Sequence, residues 1–255
     1  IRDPKELAPA LNLRPDRADA CTAVTGLYPM RITPYYLSRA NRLDMSDPIV
    51  RQCFPDPAEI QPDPLADADP LAERACSPVP GLIHRYPDRA LLVLTRSCAV
   101  HCRHCMRKRL WTRSTEEVLP PERLDDAIAY VDRTPGLREV ILSGGDPMLL
   151  PVEQLESVLA RLHACPGVEV VRIGTRVPVV LPCRLTSAFC DRLGKYRPTW
   201  VVTHFNHPAE LSGEAAEACG RLIRAGMPIL NQTVLLRGVN DTTETLQTLF
   251  TGLLR

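Results

Sequence analysis

No apolar stretch in these 255 residues approaches the ~18 that a membrane-crossing helix needs. Charge of one sign is not in excess either: 31 Lys and Arg against 30 Asp and Glu leave a net +1. That balance gives no reason to expect a nucleic acid or a membrane surface as partner. A basic segment followed by an apolar run is absent from the start, so no secretory signal is expected. The chain begins at Ile1 rather than Met, which suggests a fragment or a processed start. Lysine is scarce, occurring only as Lys5, Lys108 and Lys195.

Cysteine is not scarce. There are ten, at 21, 53, 76, 98, 102, 105, 165, 183, 190 and 219. Disulfide frameworks concentrate in small secreted domains, and this chain is neither small nor visibly secreted. The seven scattered cysteines read as small buried hydrophobes. The other three lie together in SCAVHCRHCMRKR (97–109), followed at once by a basic run.

Residues 1–80 read as an irregular, partly helical region, with short helices expected at 4–12, 34–43 and 47–53. The stretch 55–74, rich in Pro and acids, should be loop or short turns. From residue 90 the character changes. ALLVLT (90–95), EVILSG (139–144), VEVVRIG (168–174), TWVVTHF (199–205) and PILNQTVLL (228–236) are continuous apolar, β-branched runs. Such runs suit parallel strands covered on both faces. Between them Leu124, Ala127, Ile128 and Val131 keep helical spacing, as do Leu155, Val158, Leu159 and Leu162. Ala215, Ala218, Cys219 and Leu222 repeat the pattern, with Gly226 placed to stop that helix. The last four runs begin about 30 residues apart, one βα unit each. Five such units can form a doubly wound sheet or part of a βα barrel, and in both, ligands gather beyond the C-terminal strand ends. The polar stretches SCAVHCRHC, SGGD, GTR, THFNH and NQ all fall there.

Cys98, Cys102 and Cys105 form C-x3-C-x2-C. Structural zinc takes four ligands, and His101 or His104 could complete such a set. Three thiolates on one short loop also suit a [4Fe–4S] cluster in which one iron lacks a protein ligand. Three clustered buried thiols are the bland alternative.

This motif after the first strand of a βα barrel resembles the radical S-adenosylmethionine (SAM) superfamily. HRYPDRALLVLTRSCAVHCRHCMRKR (84–109), VILSGGDPMLL (140–150), RIGTRVPVVLP (172–182), WVVTHFNHPAE (200–210) and LNQTVLLRGVND (230–241) resemble the lysine 2,3-aminomutase family, block by block and in order. The likeness covers about residues 80–245 closely and the N-terminal region more loosely. It implies a mostly helical N-terminal region over 1–80. Over 81–255 it implies a partial (βα)6-type TIM-like barrel, without its last strand here.

The same resemblance implies three cofactors: a [4Fe–4S] cluster on Cys98, Cys102 and Cys105, SAM, and pyridoxal 5′-phosphate (PLP). The activity implied is movement of an amino group from the α- to the β-carbon, with L-lysine the first substrate expected and glutamate or arginine the alternatives. Gly144 and Gly145 place backbone where a ligand can approach closely. With Asp146 they match the motif that holds the SAM amino group. His204 and Gln232 match further SAM contacts; Arg176 could meet a carboxylate or brace a loop. Arg107 matches the arginine that pairs with the substrate carboxylate, a role suited to its planar fork. Arg85, Tyr86 and Arg89 resemble residues that grip the PLP phosphate, although an ordinary ion pair with Asp88 is the plain reading. Arg103, Arg107, Lys108 and Arg109 so close to cluster ligands suggest a cationic site for anions. A reduced flavodoxin or ferredoxin-type electron donor, a reducing cytoplasm and a homo-oligomer are implied as well.

Three departures from the family qualify the expectation. Neither Lys108 nor Lys195 matches the lysine that binds PLP, and the acids that read a lysine substrate's distal ammonium fall beyond residue 255. Thr242 stands where some members carry a zinc-binding cysteine. The resemblance therefore implies an incomplete chain, able to bind cluster and SAM, with one strand edge uncovered. A radical SAM enzyme without PLP, and a zinc-stapled or degenerate barrel acting as a binding module, are the rival readings.

Overall fold

The computed structural model describes residues 1–64, 67–111 and 118–254. Four short helices come first: α1 (Pro4–Leu7), α2 (Pro15–Leu27), α3 (Pro34–Leu37) and α4 (Pro48–Cys53). Proline supplies the first helical residue in each, where its missing N–H costs nothing. Thr33 and Asp47 cap α3 and α4 through their side chains. The sequence pattern missed α2, because its buried residues Ala18, Cys21 and Val24 recur only every third position within a polar, Ala- and Thr-rich segment. Residues 8–12 and 38–43, expected as helix, form turns and bends instead.

Strand β1 (Leu82–Tyr86) pairs antiparallel with β2 (Arg89–Thr95). The chain then alternates: α5 (Pro121–Arg133), β3 (Glu139–Gly144), α6 (Val152–His163), β4 (Val170–Gly174), α7 (Val177–Val180), α8 (Ser187–Leu193), β5 (Thr199–Thr203), α9 (Gly213–Arg224), β6 (Ile229–Asn231) and α10 (Thr243–Leu253). The strands lie in the order β1-β2-β3-β4-β5-β6, all neighbours from β2 onward being parallel. The sheet is open, its ends at β1 and β6, as a partial barrel requires. The five apolar runs became β2 to β6. β1 was not foreseen, because HRY is polar and half of it faces outward. β6 stops at Asn231, where the side chain turns to bond the backbone N of Phe205 at 2.7 Å, so 232–236 leaves the sheet.

Burial alternates along the strands rather than covering both faces equally. Ala90, Leu92, Leu94, Val140, Leu142, Val171, Ile173 and Val201 are buried beneath the helices. Leu91, Val93, Ile141 and Arg172 face the inside of the open barrel and are only half-buried. The register places Leu92, Leu142 and Ile173 in one row across three strands. A second apolar cluster joins the N-terminal helices to the barrel, with Tyr36, Ile49 and Phe54 packed with Val100, Val179 and Phe205. The N-terminal region therefore lies against the cysteine loop and the turns after β4 and β5. Among the described residues, no helix is long and apolar enough to cross a membrane.

Candidate functional site

Parallel pairing aligns Thr95 at the end of β2 with Gly144 at the end of β3. The cysteine loop leaves from Thr95 and is pinned on two sides. From the barrel, the backbone N of Gly145 donates to Thr95 O at 2.6 Å and that of Asp146 to Ser97 O at 2.8 Å. A Cβ on either Gly144 or Gly145 would come within 3.0 Å of these backbone atoms, and Gly144 also has φ +111°. The close approach for which the glycines make room is thus, first, that of the cysteine loop itself. From the N-terminal region, His101 N donates to Arg31 O at 2.9 Å, Arg103 N to Gln52 O at 2.8 Å, and Arg31 Nη1 to Cys98 O at 3.0 Å.

A cavity of about 240 Å³ opens where these pieces meet. Cys98, Cys102 and Cys105 line it together with His104, Arg107, Gly144, Gly145, Asp146, Arg176 and His204. The sequence-predicted SAM and cluster residues therefore converge, with the exception of Gln232. That side chain is exposed and does not line the cavity, and Val234 stands there instead. All ten cysteines are free thiols. Cys21, Cys53, Cys165 and Cys190 are buried as expected of small hydrophobes, whereas Cys183 is exposed.

Burial drives the Cys98 thiol well above its ordinary pKa and pushes Cys105 up to about 11. Thiols in such a place become thiolates when a metal supplies positive charge. His101 is not a partner for them: its Nδ1 lies 2.9 Å from Pro29 O and its ring stacks on Trp111. His104 does face the cavity, and its buried Nδ1 has no hydrogen-bond partner. Burial, aided by the Arg176 charge, lowers His104 to about 3, and the same two causes lower His204 to about 4. Both imidazoles are neutral at pH 7. Among the described residues, no three His, Cys, Asp or Glu groups converge on a single-ion position. One zinc would draw its donors to about 2.0–2.3 Å of a point. Three thiols spread around a hollow fit a multi-iron cluster better, because its ligands sit on different metal atoms.

Asp146 is 6% exposed, and its carboxylate is engaged by the protein. It accepts from Thr175 Oγ1 at 2.6 Å, Arg176 N at 2.7 Å and Met148 N at 3.1 Å. Burial raises its pKa, the three hydrogen bonds opposing the rise. Its observed part is to tie the β3 turn to the β4 turn. Arg176 is likewise enclosed: its donors reach Cys102, His204 O, Tyr36, Gln52 and Glu210.

The cations of the basic run, read from the sequence as a site for anions, are paired with acids of the chain itself. Glu59 pairs with Arg103 at 2.8 Å and with Lys108; Glu73 pairs with Arg107 at 2.6 Å and with Arg109. Both acids come from the Pro-rich stretch, whose pattern signalled only turns. Burial opposes their charge, but hydrogen bonds from these cations outweigh it and hold both carboxyls below the usual range. The Glu73–Arg107 pair stands between the thiol cavity and a second hollow of about 390 Å³ on the inner face of β1 and β2.

Arg85, Tyr86 and Arg89 are not brought to the thiol cavity. They sit on the β1–β2 hairpin, at the N-terminal end of β2, a seven-residue strand that spans ~20 Å. There Arg89 binds Asp88 at 2.9 Å, Arg85 donates to Leu71 O at 2.9 Å, and both guanidiniums flank the exposed Tyr86 ring. The ordinary ion pair is what the structure holds at Arg89. No lysine lines either hollow, so the described residues do not assemble a complete PLP site.

Comparison with known proteins gives a consistent picture. A family model described as the radical SAM superfamily matches residues 92–249. An L-lysine 2,3-aminomutase of Clostridium subterminale is 44% identical over 226 residues, covering 89% of this chain and 54% of that protein. One from Buchnera aphidicola is 34% identical over 251 residues, covering 98% of this chain and 73% of that protein. A glutamate 2,3-aminomutase of Clostridioides difficile is 36% identical over 241 residues, covering 94% and 57%. This chain thus spans about half to three quarters of the length of these relatives. Among solved structures, native anSMEcpe with bound AdoMet matches with a TM-score of 0.50 at 12% identity, covering 63% of this chain and 47% of that one, a likeness of fold alone.

Proposed function

Because the chain belongs to the radical SAM superfamily and, within it, to the lysine 2,3-aminomutase family, we propose that its cavity binds a [4Fe–4S] cluster and SAM for a 2,3-aminomutase acting on L-lysine. The observation that carries this is the opening of Cys98, Cys102 and Cys105 onto one hollow beside the SGGD turn. When bound, a singly reduced cluster supplies the electron that splits SAM into methionine and a 5′-deoxyadenosyl radical, the hydrogen-abstracting agent of this chemistry.

The chain's own residues would hold and orient. Three thiolates would take three irons and leave the fourth open to the amino and carboxylate groups of SAM. Backbone at Gly144 and Gly145, and the neutral imidazole of His204, would border the bound nucleoside. Asp146 would keep the β3 and β4 turns in register around it. Arg107, oriented by Glu73, would receive the carboxylate of the amino acid, entering from the hollow lined by β1 and β2. Arg85, Tyr86 and Arg89 would serve a phosphate only at the far end of β2.

Lysine is preferred over glutamate as substrate because the Clostridium subterminale lysine enzyme is 44% identical and the glutamate enzyme 36%, the Buchnera lysine enzyme standing beside the latter at 34%. The test begins with anaerobic reconstitution of the chain with iron and sulfide. The expected product has an EPR signal that changes on adding SAM and releases 5′-deoxyadenosine on reduction, with PLP added, faster in the presence of L-lysine than of L-glutamate. A protein that retains a single zinc and no sulfide would overturn the reading.

A further inference from the structure

Arg176 is buried, 8% exposed, beside a carboxylate with no exposure at all, Glu210. The pair is 2.5 Å apart, and both members are caged. Nη2 of Arg176 also donates to Tyr36 Oη at 2.9 Å and Gln52 Oε1 at 2.8 Å, while Nε donates to His204 O at 3.2 Å. Glu210 Oε1 accepts from Tyr36 Oη at 2.7 Å and Gln52 Nε2 at 3.1 Å; Oε2 accepts from the backbone N of Asn206 and of His207. Asn206 Nδ2 closes the ring on Gln52 Oε1 at 3.0 Å. A buried ion pair is tolerated only with this degree of hydrogen bonding, and such a network fixes direction as well as charge. The direction here is toward sulfur: Nη1 donates to Cys102 Sγ at 2.8 Å.

We propose that Arg176 is a positioning residue for the electronic state of the cluster, its guanidinium donating to the Cys102 sulfur and raising the cluster's reduction potential, rather than a contact to SAM. The inference rests on Cys102 being a cluster ligand. A hydrogen bond to a ligating thiolate withdraws electron density and favours the more negative, reduced state. Glu210 neutralises the pair as a whole, so what reaches the sulfur is a dipole with its positive end foremost. One electron enters the cluster from the external reductant; no bond at Arg176 is made or broken.

The full chain would be reconstituted anaerobically as wild type, Arg176→Gln, Arg176→Lys and Tyr36→Phe. Iron and sulfide would be counted and the midpoint potential read by EPR-monitored titration with and without SAM. Arg176→Gln is expected to load iron yet lower the reduced-to-oxidised ratio about tenfold at a fixed poise, about 59 mV for one electron. Arg176→Lys should recover part of the shift, and Tyr36→Phe should show a smaller shift of the same sign with the SAM response kept. An unchanged potential together with a lost SAM response in Arg176→Gln would overturn the inference in favour of a SAM contact. If Arg176→Gln fails to load iron, Tyr36→Phe decides, and an unshifted potential there overturns it. No cluster in the wild type would instead sink the reading of the cysteines.

Discussion

The carboxylate of Glu73 lies 2.6 Å from Nη2 of Arg107, joining two residues 34 positions apart at the lip of the thiol cavity. Arg107 is thereby aimed and neutralised by its own chain. Glu73→Gln would leave Arg107 and Arg109 without that counter-ion. It is expected to lower stability by about 1–3 kcal/mol, less than a fully buried pair because Arg107 keeps some exposure. Urea unfolding with Glu73→Asp as the milder control measures this; an unchanged midpoint would show that the pair contributes nothing.

Acid should act on the same pairs. Glu59 and Glu73 have carboxyls held below their ordinary value of 4.5 in the folded chain. A depressed folded pKa gives stability that is full above the unfolded value and lost as pH falls through the folded one. Unfolding free energy is therefore expected to be flat from these groups near pH 7 and to decline once pH drops below about 4.5. Glu59→Gln with Glu73→Gln should flatten that decline in a pH series of urea melts.

Gly145→Ala tests the seating of the cysteine loop. A Cβ there meets the backbone of Arg96 and Ser97 at under 3.0 Å, so the loop must shift. The cost expected is about 1–3 kcal/mol, with iron loading reduced. Gly213→Ala, in α9 with nothing within 4 Å of the added carbon, has the opposite expectation, a gain of about 0.5–1 kcal/mol. Paired melting curves and iron counts separate a general glycine effect from a local one.

Each of Cys98→Ser, Cys102→Ser and Cys105→Ser is expected to drop iron and sulfide content well below wild type with the far-UV spectrum unchanged. Cys183→Ser, exposed and outside the lining of the thiol cavity, should load normally. Normal loading in all four would remove the thiol loop from consideration as the iron site.

Strands β2 to β6 were legible because their short, β-branched apolar runs are bounded by turn signals, and α5, α6 and α9 because their buried residues recur on one face. α2 was not, its buried positions being small and interleaved with Thr and Asp. The cysteines and the SGGD turn announced the cavity through spacing and glycine content. Tyr36, Gln52 and Glu210 left no comparable trace: each lies in an ordinary local context, and only tertiary packing draws them around Arg176. Glu59 and Glu73 were hidden in the same way, since acids in a Pro-rich stretch look like solvent-facing turns until cations far along the chain meet them.

The backbone carbonyls of Arg31 and Gln52 hold His101 and Arg103, the residues on either side of Cys102. The spacing of the thiols is thus set partly by a segment made long before the barrel is translated, yet able to act only after the barrel has formed. A cluster held by these thiols is therefore expected to enter only once the amino-terminal segment has docked. Trimming that segment would uncover Val100, Val179 and Phe205 and release the cysteine loop from its two carbonyl anchors.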